Sequence, residues 1–197
     1  SRGLGDVYKR QITGLDLFPE FINIFSRNAK QSDLSDRVKG VVGSMDDLPF
    51  GKESLDLIWS EGAIANIGFK KGLNYWNGFL KKDGYVALTY ESWFTDDRPA
   101  EIEKFWLDAV PEMNTISHNI SVLQKAGYRL VAAFTLPETC WTEHYFSPCS
   151  KIQDEFLKKH AGSKTAEELI AGQRHEKVLY DKYKEFYGYV FYIGKKI

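Results

Sequence analysis

The sequence predicts an α/β fold with a mostly parallel sheet and helices on both faces. Up to Tyr90, short apolar segments alternate with segments whose apolar residues recur at helical spacing. This alternation is typical of parallel strands joined by crossover helices. A chain of 197 residues with 43% hydrophobic content is also long enough to bury a sizeable core.

The first half of the chain supplies the regular alternation. Proline is tolerated in a first helical turn, so Pro19 marks where the first helix begins. A turn at Lys82-Asp83-Gly84 precedes the most apolar strand. The predicted elements are a strand at 12–17, a helix from 19, strands at 38–42 and 55–59, a helix at 69–80 and a strand at 85–90.

The second half departs from this alternation. Helices are predicted around 102–109 and 116–123, the latter stopped by Gly127, followed by a strand at 128–136. Two more helices open with capping-box patterns, Ser150 with Gln153 and Thr165 with Glu168. A last strand is predicted at 189–194, and together with strand 128–136 it predicts a late antiparallel strand pair at the edge of the sheet.

Composition narrows the class of partner. The net charge is −1 and no long run of like charge occurs, so neither a nucleic-acid nor an anionic-membrane partner is implied. The apolar stretches are far shorter than a bilayer span. Cys140 and Cys149 lack metal-ligand spacing, which favours two reduced thiols in a cytoplasmic protein and no metal site.

Three polar groups follow predicted strands, where open α/β sheets bind ligands. Asp16 can accept hydrogen bonds from both hydroxyls of a ribose. In the loop Ser44-Met45-Asp46, a thioether can lie against an adenine face while the carboxylate accepts from the adenine amino group. Glu61, in Ser60-Glu61-Gly62, can meet an amino group. Helix-start acids and a solvated turn are the simpler interpretations and stay open.

As an ordered set, these groups carry a family resemblance. Asp16 with Leu17, the segment from Ser44 to Phe50, and Asp56 with Ser60-Glu61-Gly62 resemble successive motifs of class I, Rossmann-like S-adenosylmethionine-dependent methyltransferases. The turn from Lys81 to Gly84 resembles the next motif. The sequences of these motifs are most similar to those of small-molecule enzymes of the methyltransferase-11/25 type. The resemblance covers residues 12–197.

The resemblance implies a cofactor and a reaction. S-adenosyl-L-methionine would be bound at its ribose by Asp16 beside Leu17, at its adenine by Ser44, Met45 and Asp46, and at its methionine part by Ser60, Glu61 and Gly62. The methyl group would pass to a small-molecule acceptor by in-line displacement, which depends mainly on proximity and orientation. The resemblance carries over no universal catalytic residue.

Aromatic residues are candidates for the pocket that binds the methyl acceptor. Trp93, Trp141 and Tyr145 follow strands at positions where this family often builds its acceptor pocket, so they are predicted to bind substrate. His144 and Glu143 are candidates for a catalytic base. Packing in the core is the competing interpretation for Trp93.

One feature departs from the family pattern. Gly3-Leu4-Gly5 lies too close to Asp16 to leave room for the helix that normally follows a glycine-rich loop. We therefore expect residues 1–11 to be a non-native or disordered leader, residues 12–197 to form one truncated domain without the first strand and its loop, and the cofactor to bind weakly. An NAD-type nucleotide-dependent oxidoreductase and a non-catalytic binding remnant remain as alternatives.

Overall fold

The structure, a computed structural model, describes residues 11–197. The chain forms two compact units, Ser1–Gly51 (unit 1) and Lys52–Ile197 (unit 2). No helix within residues 11–197 is both long and apolar enough to cross a membrane. The leader expected at residues 1–11 lies outside the described residues except for Gln11. Gly3-Leu4-Gly5 also lies outside them. The single domain expected over residues 12–197 stays a prediction.

Unit 1 is a parallel strand pair with one helix. Its elements are β1 (Ile12–Asp16), α1 (Pro19–Gln31) and β2 (Val38–Val42), with β1 and β2 hydrogen-bonded in parallel. The helix packs closely on the strands: a Cβ added at Gly40 would lie 2.7 Å from an Ile22 side-chain carbon. Glycine is therefore needed in β2 for this close approach.

Unit 2 is built around a five-stranded sheet in the order β3-β4-β7-β6, with β5 beside β4. Its elements are β3 (Leu55–Ser60), α2 (Phe69–Asn77), β4 (Leu80–Trp93), α3 (Ala100–Ala109), β5 (Asn114–Thr115), α4 (Ile116–Lys125), β6 (Tyr128–Thr135), α5 (Thr139–Trp141), α6 (Ser147–Lys159), α7 (Lys164–Tyr183) and β7 (Tyr187–Lys196). A 3-10 turn (Ile64–Ile67) precedes α2, and a π-helical segment (Thr142–Phe146) joins α5 to α6.

The strand directions match the sequence prediction. β3 and β5 run parallel to β4, whereas β7 is antiparallel to both β4 and β6. The predicted α/β class and the late antiparallel pair are thus confirmed. One face of this sheet packs on α2, where Phe69 stacks on Tyr90 with ring centroids 4.4 Å apart.

An aromatic cluster forms the core under α3, α7 and the ends of β4 and β7. Its side chains come from six elements and the loop after α3, and they touch mainly ring against ring. The buried members are Trp93, Ile102, Trp106, Met113, Trp141, Phe146, Leu179, Tyr180, Tyr183 and Tyr187. Burial of rings this large dominates the energetics of such a core.

The end of one helix and the bounds of one strand differ from the predicted ones. The helix predicted at 69–80 ends at Asn77, because the chain turns at Gly78 and Leu80 already belongs to β4. β4 then runs on past Tyr90 to Trp93. The turn at Lys82-Asp83-Gly84 is a bulge inside that strand, with Asp83 at a φ of 65°.

The predicted capping boxes are wrong. Ser150 lies inside α6, which begins at Ser147. The N-cap of α7 is Ser163, whose hydroxyl accepts a hydrogen bond from the Ala166 backbone N–H at 3.3 Å. A capping serine at this position satisfies a donor that has no partner within the helix, so Thr165 falls in the first turn instead.

Candidate active site

Asp16 is the last residue of β1. Its Oδ1 accepts a hydrogen bond from the Phe18 backbone N–H at 2.8 Å, just before Pro19 begins α1. Its backbone oxygen accepts from the Gly43 N–H at 2.9 Å, which ties the end of β1 to the end of β2. Unit 1 therefore places Asp16 directly beside the predicted adenine loop, with Leu17 exposed next to it.

The loop after β2 is a tight turn with Met45 and Asp46 at its tip. The Asp47 N–H donates to the Ser44 carbonyl at 3.1 Å, and the Ser44 hydroxyl donates to Asp46 Oδ1 at 2.5 Å. The side-chain bond holds the carboxylate of Asp46 against its own turn. The structure thus brings together five of the predicted cofactor residues: Asp16, Leu17, Ser44, Met45 and Asp46.

Unit 2 holds the other three predicted cofactor residues at the end of β3. The Glu61 carboxylate accepts a hydrogen bond from Trp59 Nε1 at 2.6 Å. Gly62 has a φ of 59°, a left-handed conformation that favours glycine, and its N–H donates to the Thr89 hydroxyl at 2.8 Å. Thr89 on β4 therefore fixes the loop that Ser60, Glu61 and Gly62 form.

The predicted substrate residues lie in and beside the aromatic cluster. Trp93 and Trp141 are 1% and 3% exposed, so both are packed among other rings. Trp141 stacks on Tyr189 with ring centroids 4.8 Å apart and meets Tyr145 edge-on at 6.2 Å. In the structure these three side chains pack against other rings. Their roles in binding substrate stay predictions.

The predicted bases stand apart from these rings. Glu143 and His144 are both exposed on the π-helical segment, while Tyr145 and Phe146 of the same segment face the core. No hydrogen bond links Glu143 and His144 to each other in the described residues. A catalytic role for either stays a prediction.

Sequence reasoning missed a pair of groups on facing strands. Glu91 on β4 lies opposite Tyr189 on β7, and the Tyr189 hydroxyl donates to Glu91 Oε1 at 2.9 Å. Glu91 is 7% exposed. Burial raises the pKa of Glu91 above its ordinary 4.5, although the Tyr189 hydrogen bond works in the opposite direction.

A second carboxylate–phenol pair lies near the first. The Tyr145 hydroxyl donates to Glu176 Oε2 at 3.1 Å. Burial raises the pKa of Glu176, and the charge of Glu91 raises it further. Together the two pairs form a cluster of two carboxylates and two tyrosines: Glu91, Tyr189, Glu176 and Tyr145. A glutamate within an otherwise apolar strand was the signal for it in the sequence.

Comparison with known proteins finds similarity to methyltransferases. Residues 1–88 match the family described as a methyltransferase domain. The erythromycin 3''-O-methyltransferase of Saccharopolyspora erythraea is 40% identical over 173 aligned residues, which cover 76% of this chain and 53% of that protein. The chain thus spans about half the length of the curated relative it matches.

Solved structures show the same fold. A methyltransferase from Geobacter sulfurreducens, solved with S-adenosyl-L-homocysteine, aligns with a TM-score of 0.77 at 16% identity, covering 94% of this chain and 75% of that one. The [4+2]-cyclase SpnF aligns at a TM-score of 0.74 and 17% identity, covering 95% and 66%. Because SpnF is named a cyclase, the fold alone does not decide the chemistry.

The strand-end motifs, the sheet with its late antiparallel pair and these matches agree. Residues 1–88 match a methyltransferase domain, and the fold is that of solved methyltransferases. The oxidoreductase alternative receives no support from the matches described above.

Proposed function

We propose that the protein transfers a methyl group from S-adenosyl-L-methionine to a small-molecule acceptor. The observation that carries this proposal is the pairing of Asp16 with the Ser44–Asp46 turn at the ends of two hydrogen-bonded parallel strands. Ligands of open α/β sheets bind beyond such strand ends. The 40% identity to a methyltransferase supports the same conclusion.

The residues present fit this cofactor. Asp16 keeps a partly exposed carboxylate, which suits two ribose hydroxyls, and the turn presents Met45 and Asp46 beside it. Gly62 has no Cβ, so the loop after β3 leaves more space beyond the end of that strand. The cofactor would supply an activated methyl group, so the protein's own task is to bind and orient the two reactants.

We further propose that the acceptor atom is a hydroxyl oxygen. The relative's name specifies methyl transfer to oxygen on erythromycin, a small molecule. A hydroxyl must lose its proton as it is methylated, so this acceptor requires a base. A cytoplasmic location belongs to the same proposal and is supported by the free thiols Cys140 and Cys149.

The experiment is transfer of a labelled methyl group from S-adenosylmethionine, at millimolar concentration, to erythromycin that lacks its 3''-O-methyl group. We expect a labelled product whose mass increases by one methyl group. No product from this acceptor or from a panel of hydroxylated and amine-bearing small molecules would favour a non-catalytic binding role.

A further inference from the structure

We propose that Glu91 takes the proton from the acceptor hydroxyl and that Tyr189 holds its carboxylate in place. This inference rests on the proposed function, since it assigns the base that an oxygen acceptor requires. It does not depend on either of the residues that the sequence suggested for this role, Glu143 and His144.

The position of Glu91 is the first argument. It lies near the carboxyl end of β4, two residues beyond Thr89, whose hydroxyl accepts from the Gly62 N–H at 2.8 Å. Since side chains alternate along a strand, Thr89 and Glu91 share one face of the sheet. A Cβ added at Gly62 would lie 3.6 Å from the Tyr189 hydroxyl. The pair thus borders the loop expected to receive the methionine part of the cofactor.

The charge environment is the second argument. Within residues 11–197, neither Glu91 nor Glu176 forms an ion pair with a lysine or arginine, and each receives a hydrogen bond from a tyrosine instead. A buried carboxylate without a cation is costly, and such groups cluster at functional sites. Burial raises the pKa of Glu91, which makes its carboxylate a better proton acceptor than an exposed one.

The acceptor oxygen forms a bond to the methyl carbon while the bond from that carbon to sulfur breaks, and its electron pair stays on sulfur. The hydroxyl proton passes to Glu91, which becomes neutral. A carboxyl with a raised pKa keeps that proton at lower cost than an ordinary one. Tyr189 on β7 and Glu176 on α7 are titratable groups that interact with Glu91 from facing elements, and Tyr90 interacts with it from its own strand.

The test compares Glu91→Gln, Tyr189→Phe and the control Glu155→Gln, an exposed glutamate on α6. With erythromycin lacking its 3''-O-methyl group as the acceptor, we expect Glu91→Gln to lower kcat about 100-fold or more without a matching rise in KM. Tyr189→Phe should retain more activity. It should also move the acidic limb of the pH profile to higher pH, because the lost hydrogen bond lowers the pKa of Glu91.

A second readout needs no cofactor. Carboxyl-carbon NMR of the unsubstituted chain should show the Glu91 signal moving when the same acceptor is added alone, and Glu155 should not respond. Full activity of Glu91→Gln alongside an unmoved Glu91 signal would overturn this proposal and leave the proposed function standing. No transfer by the unsubstituted chain to any acceptor would instead overturn the proposed function, and this inference with it.

Discussion

Glu91 and Tyr189 face each other across the antiparallel strands β4 and β7, joined by a hydrogen bond of 2.9 Å from the phenol to the carboxylate. A cross-strand pair of this kind is fixed by strand register, so the position of the carboxylate is set by the sheet and not by a mobile loop. A fixed position is what a proton acceptor needs. The burial of the same carboxylate also makes the stability of the fold depend on pH.

The pH dependence of stability tests the buried state of Glu91. Because the folded pKa of Glu91 is raised above 4.5, the unfolded chain loses this proton first as pH rises. The folded state then binds more protons than the unfolded state, so its stability decreases with rising pH from about the ordinary pKa up to the folded pKa. We expect Glu91→Gln to remove this loss, which urea unfolding at acidic and at slightly alkaline pH measures.

Glu155→Gln is the matched control, since Glu155 is exposed. It should leave the pH dependence unchanged. If the stability difference between Glu91→Gln and the unsubstituted chain were the same at both pH values, Glu91 would not carry a raised pKa.

Gly62→Ala tests the backbone of the loop after β3. At a φ of 59° an alanine is strained, and the expected cost is about 1–2 kcal/mol in the free energy of unfolding. Gly172→Ala, inside α7 with open space around it, should stabilise the chain by about 0.5–1 kcal/mol. Chemical denaturation measures both. An equal effect of the two substitutions would contradict the left-handed conformation of Gly62.

Trp141→Ala separates a packing role from a pocket wall. Trp141 is 3% exposed within the aromatic cluster, so its removal should cost about 3–5 kcal/mol. Trp59→Ala, at a residue that is 60% exposed, should cost about 1 kcal/mol or less. Thermal and urea unfolding give the comparison. A small loss at Trp141 together with weakened acceptor binding would instead favour the pocket role predicted from the sequence.

Asp16→Asn tests the ribose role. The amide oxygen can still accept from the Phe18 N–H, so stability should change little. A charged acceptor contributes more to a hydrogen bond than a neutral one, so we expect affinity for S-adenosylhomocysteine to fall about tenfold. Equilibrium titration measures it. Unchanged affinity would leave Asp16 only its hydrogen bond from the Phe18 N–H.

The order of strands and helices could be predicted because hydrophobic periodicity is a local property. The predicted strand at 38–42 matches β2, and Pro19 begins α1 as expected. The ends of elements were less predictable. Leu80 continues the apolar face of α2 in sequence, but the turn at Gly78 places it in β4. No local pattern revealed that Ser163, two residues before the predicted cap, would cap α7.

The candidate site was predictable where its residues adjoin in sequence. Ser44, Met45 and Asp46 form one turn, and its motif is visible in the sequence alone. Glu91 and Tyr189 are 98 positions apart and meet only through strand register. Glu176 lies on α7, a helix rich in charged residues, and its carboxylate is partly buried against Tyr145. Such pairs depend on tertiary packing, which periodicity does not reveal.

The most direct test of S-adenosylmethionine binding is an NMR titration of isotope-labelled chain with S-adenosylhomocysteine and, separately, with NADH, because chemical shifts report even weak binding residue by residue. We predict saturable shifts of the amides of Asp16, Met45, Asp46 and Gly62 with S-adenosylhomocysteine and none with NADH. Shifts at these amides with NADH alone, or none with either ligand, would contradict the assignment of these residues to S-adenosylmethionine.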